Sequence, residues 1–336
     1  MNKVNKNIYR ITMPIITFIV MLGFVFYKAE AITLSPARIE VNADPGTTIT
    51  KDITVYNDQE KAATYYISYS NFEAQGETGS PRFVEPKSGL GTWMDAGKSV
   101  YLEPGQSKNI PLSIKIPSDA YAGGHFAVVF FGTVPESKDG GQVTVGAKTG
   151  TLVLLSVSGD VLEAGGLADF KTKDNKFFYN SLPIEFQYRF KNDGNDRVKP
   201  EGNLTIKNIL YISRAKINAN AVSGNILPHS TRLFDLEWIK YKTEEDSTDK
   251  TFIKSYFDKV YYQWKNFAVG PYMAKLDLVY GTEDIHTTKY KFFFVFPWQL
   301  LIIIIVILTG VYFVGKKLIK RYNNYIIKKA KLHVSQ

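Results

Sequence analysis

The chain has 336 residues, no cysteine, and 41 lysines and arginines against 32 acidic residues, a formal charge of +9. Residues 315–336 hold seven bases and no acid, and the first 31 residues carry +3, which leaves −1 for everything between. A nucleic-acid binder carries its basic stripe on the folded part, so a nucleic-acid partner is excluded, and without thiols so are thiolate catalysis and cysteine-based metal sites.

Residues 8–27 form an apolar run preceded by Lys3 and Lys6 and followed by Ala29-Glu30-Ala31, the small-x-small pattern of a peptidase site. Residues 1–31 read as a cleaved secretion signal with Ile32 as the first mature residue. An uncleaved anchor is the rival reading, and under both the residues from Ile32 onward are exported.

Strict period-two alternation marks strands with one buried face. It is clearest in Ile110, Leu112, Ile114 and Ile116, and recurs in Phe234-x-Leu236-x-Trp238 and in Ala274, Leu276, Leu278 and Tyr280. The runs HFAVVFFGTV (125–134) and TLVLLSV (151–157) are β-branched, aromatic and too short for helices. Turn signals such as Asp44-Pro45-Gly46, Glu103-Pro104-Gly105 and Asp193-Gly194-Asn195 recur about every ten residues. The pattern predicts antiparallel β-sandwiches. One segment breaks it: Phe252, Ile253, Tyr256, Phe257, Val260, Tyr261 and Trp264 form the face of an amphipathic helix, capped from Ser247, Thr248 or Asp249. Its apolar stripe is expected to pack on a sandwich, with a membrane-surface or partner-binding role as the alternative.

A faint repeat pairs ITVYND (53–58) with YRFKND (188–193) and YLEPGQSKNIPLSIK with ILPHSTRLFDLEW. It divides the exported part into domain 1 (32–166) and domain 2 (167–291). Residues 298–314 are nearly pure Ile, Leu and Val, and 292–296 extend them to a membrane span over 292–314, although a last strand read over 287–296 overlaps that extension. Trp298 and Tyr312 suit the two interfaces, and Lys316, Lys317, Lys320 and Arg321 begin a basic tail (315–336) that the positive-inside rule keeps in the cytoplasm. The expected molecule is a single-pass membrane protein with 32–291 outside, its tail meeting anionic lipid.

The histidines at 125, 229, 286 and 333 show no metal spacing, KNDGNDR (191–197) reads as a hairpin turn rather than a calcium loop, and no nucleophile elbow or paired-histidine motif occurs. The expectation is therefore no enzyme, no cofactor and no metal. Gly123-Gly124-His125 opens a strand; its glycines permit a bulge or tight turn, or alternatively the close approach of a glycan chain. Trp93, in a Gly-rich loop, either stacks on a sugar or protein partner or tucks under its own loop. Trp93, Gly123, Gly124 and His125 are the candidate binding residues.

LSPARIEVNADPGTTITKDITVYNDQ (34–59) followed by YLEPGQSKNIPLSIKIPSDAYAGGHFAVVFFG (101–132) resembles the first domain of the WxL-interacting surface-protein family of Gram-positive bacteria. That resemblance implies a signal peptide, two immunoglobulin-like domains and a C-terminal anchor with a basic tail. It also implies peptidoglycan as the partner of the first domain and other surface proteins as partners of the second, hence adhesion or scaffolding without catalysis. SPARIEVNADPG with ITVYN is also similar to the start of periplasmic pilus chaperones, which implies assembly of surface fibres by strand addition at an open edge.

Overall fold

The computed structural model of the chain describes residues 32–135, 147–242 and 252–334. The expected signal segment and the helix caps Ser247, Thr248 and Asp249 lie outside these residues.

The first part runs β1 (Ile32–Ser35), β2 (Arg38–Ala43), β3 (Thr48–Asn57), β4 (Ala63–Gln75), β5 (Ser80–Val84), a one-turn α1 (Leu90–Trp93), β6 (Met94–Asp95), β7 (Ser99–Leu102), β8 (Ser107–Lys115), β9 (Gly123–Gly132) and β10 (Lys148–Val157). One sheet has the order β1-β3-β8-β6; the other has β2-β10-β9-β4-β5, with β7 also on β4. Alternation explains the core between them. Ile110, Leu112 and Ile114 of β8 meet Val129 and Phe131 of β9 and Val153 and Leu155 of β10, all buried in one cluster. Each such side chain contributes about 1.5–3 kcal/mol by leaving water.

The second part runs β11 (Gly165–Thr172), β12 (Phe178–Tyr179), β13 (Ile184–Asn192), β14 (Glu201–Asn208), β15 (Ser213–Asn218), β16 (Ser230–Trp238), α2 (Phe252–Lys265), β17 (Gly270–Tyr280), β18 (Ile285–Val295) and α3 (Trp298–Val334). Sheets β11-β13-β16 and β12-β18-β17-β14-β15 enclose Phe186, Tyr188, Phe190, Leu204, Leu276, Phe293 and Trp238. The chain is thus an all-β protein of immunoglobulin-like sandwiches followed by a long C-terminal helix.

Four expectations are corrected. The sheets are not wholly antiparallel: β10 runs parallel to β2, and β12 parallel to β18. The first N-terminal strand changes sheets at Pro36, which has no N–H for a ladder, so its first half pairs antiparallel with β3 and its second half follows the last strand of the other sheet. Residues 193–200 are not a hairpin, because β13 and β14 belong to different sheets and the loop crosses between them. Residues 292–295 belong to β18 rather than to a span, with Phe293 and Val295 fully buried in the second core.

The fourth concerns α2, whose apolar stripe does not pack on the sandwich. Phe257, Tyr261 and Trp264 are exposed, while the buried side chain is Gln263. Its neighbour is the first turn of α3, where Gln263 Nε2 donates to Gln299 Oε1 at 2.5 Å and Gln263 Oε1 accepts from Leu300 N at 3.0 Å. Within α3, Trp298–Ile327 is long and apolar enough to cross a membrane, and its most apolar 18 residues have a mean hydropathy of 2.3.

Candidate functional site

Two hollows lie where the sandwiches meet. The first, about 240 Å³, is bounded by Arg38 from one side and Arg232 from the other. Its cations are already engaged: Arg38 Nη1 donates to Ser223 O at 3.2 Å and its Nε pairs with Glu40 at 2.8 Å, while Arg232 Nη1 donates to Asn225 O at 2.9 Å. Burial, the largest influence, pulls the Arg232 pKa down. This hollow belongs to the joint.

The second is a groove of about 450 Å³ lined by Asn71, Phe72, Glu73, Ser88, Trp93, Tyr121, Gly124, His125 and Phe126, with Leu227 and Pro228 from the second sandwich. Strand β9 supplies its floor. His125, only 3% exposed, packs against Tyr121 with ring centroids 4.1 Å apart and the planes tilted by 37°, and against Trp93 at 4.6 Å with a tilt of 49°. Trp93 closes α1 and rests partly buried on the first core. Tyr121 is exposed. Asn71 fixes α1 by donating to Ser88 O at 2.6 Å and accepting from Gly91 N at 2.8 Å.

His125 Nε2 lies 2.9 Å from the Tyr121 carbonyl. A carbonyl only accepts, so Nε2 carries a proton whether the ring is neutral or charged. Burial, outweighing the Tyr121 carbonyl and Asp196, holds its pKa below the ordinary 6.5. The unfolded chain therefore takes up this proton more readily than the folded one. The contribution is complete above the ordinary histidine range and is lost as pH falls through 6.5 and below. The melting temperature of the full chain in micelles should fall between pH 8 and pH 5, and His125→Gln should flatten part of that slope; an unchanged slope would refute the assignment.

The sequence-selected residues separate into two roles. Trp93, Gly124 and His125 share the groove. Gly123 serves the joint instead: its φ is +110°, and a Cβ there would lie 2.4 Å from the Asn195 carbonyl oxygen. The close approach is to the second sandwich, where Gly124 N donates to Asn195 O at 2.9 Å. Asn195 also accepts from Leu162 N at 2.7 Å and donates to Asp160 O at 3.1 Å, clasping the connector. Tyr121 and Asn71 carry no local sequence signal that would single them out.

On α3, Trp298 and Tyr312 are exposed. At 1.5 Å per residue they are about 21 Å apart, whereas Trp298 and Lys317 are about 29 Å apart, closer to the thickness of a hydrocarbon core. Lys316, Lys317, Lys320 and Arg321 follow on the exposed surface of the same helix. Among the described residues no group of three or more histidine and carboxylate side chains is placed to hold a metal ion.

No family model matches the sequence, and no curated protein matches it. Among solved structures the chain is similar to the class 5 fimbriae chaperone CfaA, at 14% identity and a TM-score of 0.38 over 78% of this chain and 99% of that one. It is also similar to the E. coli chaperone DraB (11%, 0.34, 79% and 96%) and to a chain of the Salmonella enterica SafA pilin complex with the SafB chaperone (9%, 0.34, 80% and 97%). Pilus chaperones are thus structural neighbours, while the resemblance to the WxL-interacting family rests on the sequence alone.

Proposed function

We propose that the chain is a non-enzymatic, membrane-anchored protein of the cell envelope that binds a cell-wall glycan in the Trp93–Tyr121–His125 groove. The observation that carries this reading is the cluster of three rings lining the groove. An exposed tyrosine lies against a buried neutral histidine backed by tryptophan, flanked by the polar Asn71, Glu73 and Ser88. A sugar ring needs this combination: a flat aromatic face for its C–H side, and amide, hydroxyl and carboxylate groups for its hydroxyls. Among the described residues Glu73 is the only carboxylate lining the groove, and it is paired with Arg82 at 2.6 Å, whereas glycoside hydrolysis uses two acids, which favours holding over cleavage.

The anchor is α3, with Trp298 at the outer boundary and the basic residues from Lys316 onward at the cytoplasmic one. Full chain in micelles should be retained on isolated peptidoglycan, and Tyr121→Ala should weaken retention about tenfold, because ring stacking adds ~0.5–1.5 kcal/mol beyond lost contact area. Absence of retention by the unaltered chain would remove the reading. The second reading, strand addition to surface-fibre subunits, is favoured by the edge of β10, where, among the described residues, 148–151 pair with β9 alone because β2 joins only from Leu152.

A further inference from the structure

Away from α3, most of the exposed large apolar side chains of the second sandwich gather at one end, and strand register identifies it. Tyr272, near the start of β17, lies opposite Phe293 of β18 on one side and opposite Asn208, the last residue of β14, on the other. Phe178 of β12 lies opposite Phe294. The helix α3 begins at Trp298, just beyond β18. The β14–β15 tip (209–212) and Phe178 are therefore at the end from which α3 departs. At that tip Leu210 is 71% exposed, and Ile209 and Tyr211 stand out equally. The third element is α2, tied to the first turn of α3 by the Gln263–Gln299 pair. Its free face carries Phe257, Tyr261 and Trp264 at i, i+4 and i+7, between 56% and 62% exposed.

Bases rim these apolar groups. Arg214, the second residue of β15, is close enough to Lys240 to depress its pKa, after burial; Lys265 Nζ sits 5.5 Å from the centre of the Tyr261 ring. Aromatic tips with a basic rim match the headgroup layer of an anionic membrane. Continuity with α3 sets the occupant, because the plane in which these groups end is the plane in which the apolar helix starts.

Resting on the reading of α3 as a membrane span, we propose that the base of the second sandwich is seated in the headgroup layer of the bilayer that α3 crosses. The tip 209–212 and the aromatic face of α2 enter the lipid interface. The sandwich thus stands on the membrane at three points, so its height and tilt are set.

The chain has no cysteine, which makes single-cysteine probes clean. Leu210→Cys, Tyr261→Cys, Ile305→Cys and Ser107→Cys, all at solvent-accessible positions, would each carry an environment-sensitive fluorophore in the full chain. The chain is reconstituted in vesicles of phosphatidylcholine and phosphatidylglycerol bearing nitroxides at a shallow or a deep position. Labels at 210 and 261 should be quenched several-fold more by the shallow nitroxide than the label at 107, with 305 quenched best by the deep one. Quenching at 305 but not at 210 and 261 overturns the seat and leaves the anchor standing. Shielding of 210 and 261 from both lipid and aqueous quenchers also overturns it, in favour of a protein partner or second copy. Absence of quenching at 305 removes the anchor, and the seat with it.

Discussion

Gly123→Ala should loosen the connector side of the joint between the two sandwiches. The residue sits at φ +110°, a conformation that costs a side chain about 1–3 kcal/mol. The new methyl would also meet the Asn195 backbone, with the carbonyl oxygen at 2.4 Å and its carbon at 3.1 Å. A backbone offers no flexible end to give way, so the loop must withdraw. Withdrawal breaks the Gly124–Asn195 hydrogen bond and strains the Asn195 contacts to Leu162 and Asp160, each worth about 0.5–1.5 kcal/mol. Gly97→Ala provides the comparison: its φ is +86° but nothing lies within 4 Å, so it carries the conformational cost alone. Protease cleavage in the connector 158–164 should accelerate strongly for Gly123→Ala and little for Gly97→Ala. Retention on peptidoglycan should weaken too, because Leu227 and Pro228 reach the groove only while the joint is closed. Equal cleavage of the two variants would refute the clasp.

The second large effect is expected from Asn57→Leu, a substitution of similar volume. Asn57 is fully buried at the end of β3. Its amide donates to Lys61 O at 2.9 Å, Glu103 O at 3.1 Å and Leu102 O at 3.2 Å, and its oxygen accepts from Tyr65 OH at 2.7 Å and Gln59 N at 3.1 Å. Leucine fills the space but leaves these groups unpartnered, at about 1–3 kcal/mol for each one that stays buried. A loss of roughly 3–5 kcal/mol is expected against a typical total of about 5–15 kcal/mol. The exposed Glu73–Arg82 pair sets the contrast, since breaking it should cost under about 1 kcal/mol. Urea unfolding of the full chain in micelles, followed through Trp93, the only tryptophan before residue 238, measures both. An unchanged midpoint for Asn57→Leu would discard this account. Asn192, in the second YRFKND stretch, repeats the device: it is fully buried, donates to Asp196 O at 2.7 Å and Ile226 O at 2.9 Å, and accepts from Gly194 N at 2.9 Å.

That repeat shows which features a linear reading reaches. Alternation is local, so the buried faces of β8, β16 and β17 could be read directly from Ile110, Phe234 and Ala274 onward. Sheet membership is not local. Nothing in SPARIEV states that the chain changes sheets at Pro36, and Asp193-Gly194 carries the same turn signal whether a strand folds back or crosses over. The groove was legible in pieces. Trp93 and His125 each stood out for its immediate surroundings, but the ring cluster depends on α1 lying over β9 and on Tyr121, which an unremarkable neighbourhood concealed. The stripe of α2 identified a helix correctly and its packing wrongly, because a hydrophobic face is the same pattern whether it meets protein or lipid.

The direct passage from β18 into α3 through Phe296 and Pro297 has a mechanical consequence. With the helix held and the first sandwich pulled, tension enters the second sandwich along β18, where eleven residues paired with β17 share the shear at once. The joint between the sandwiches is held instead by scattered contacts, among them Gly124 N to Asn195 O, Arg38 to Ser223 O, Asn225 to Glu40 and Arg189 to Glu77. Contacts of this kind are loaded in turn and not together, so the joint is expected to open before β18 leaves β17.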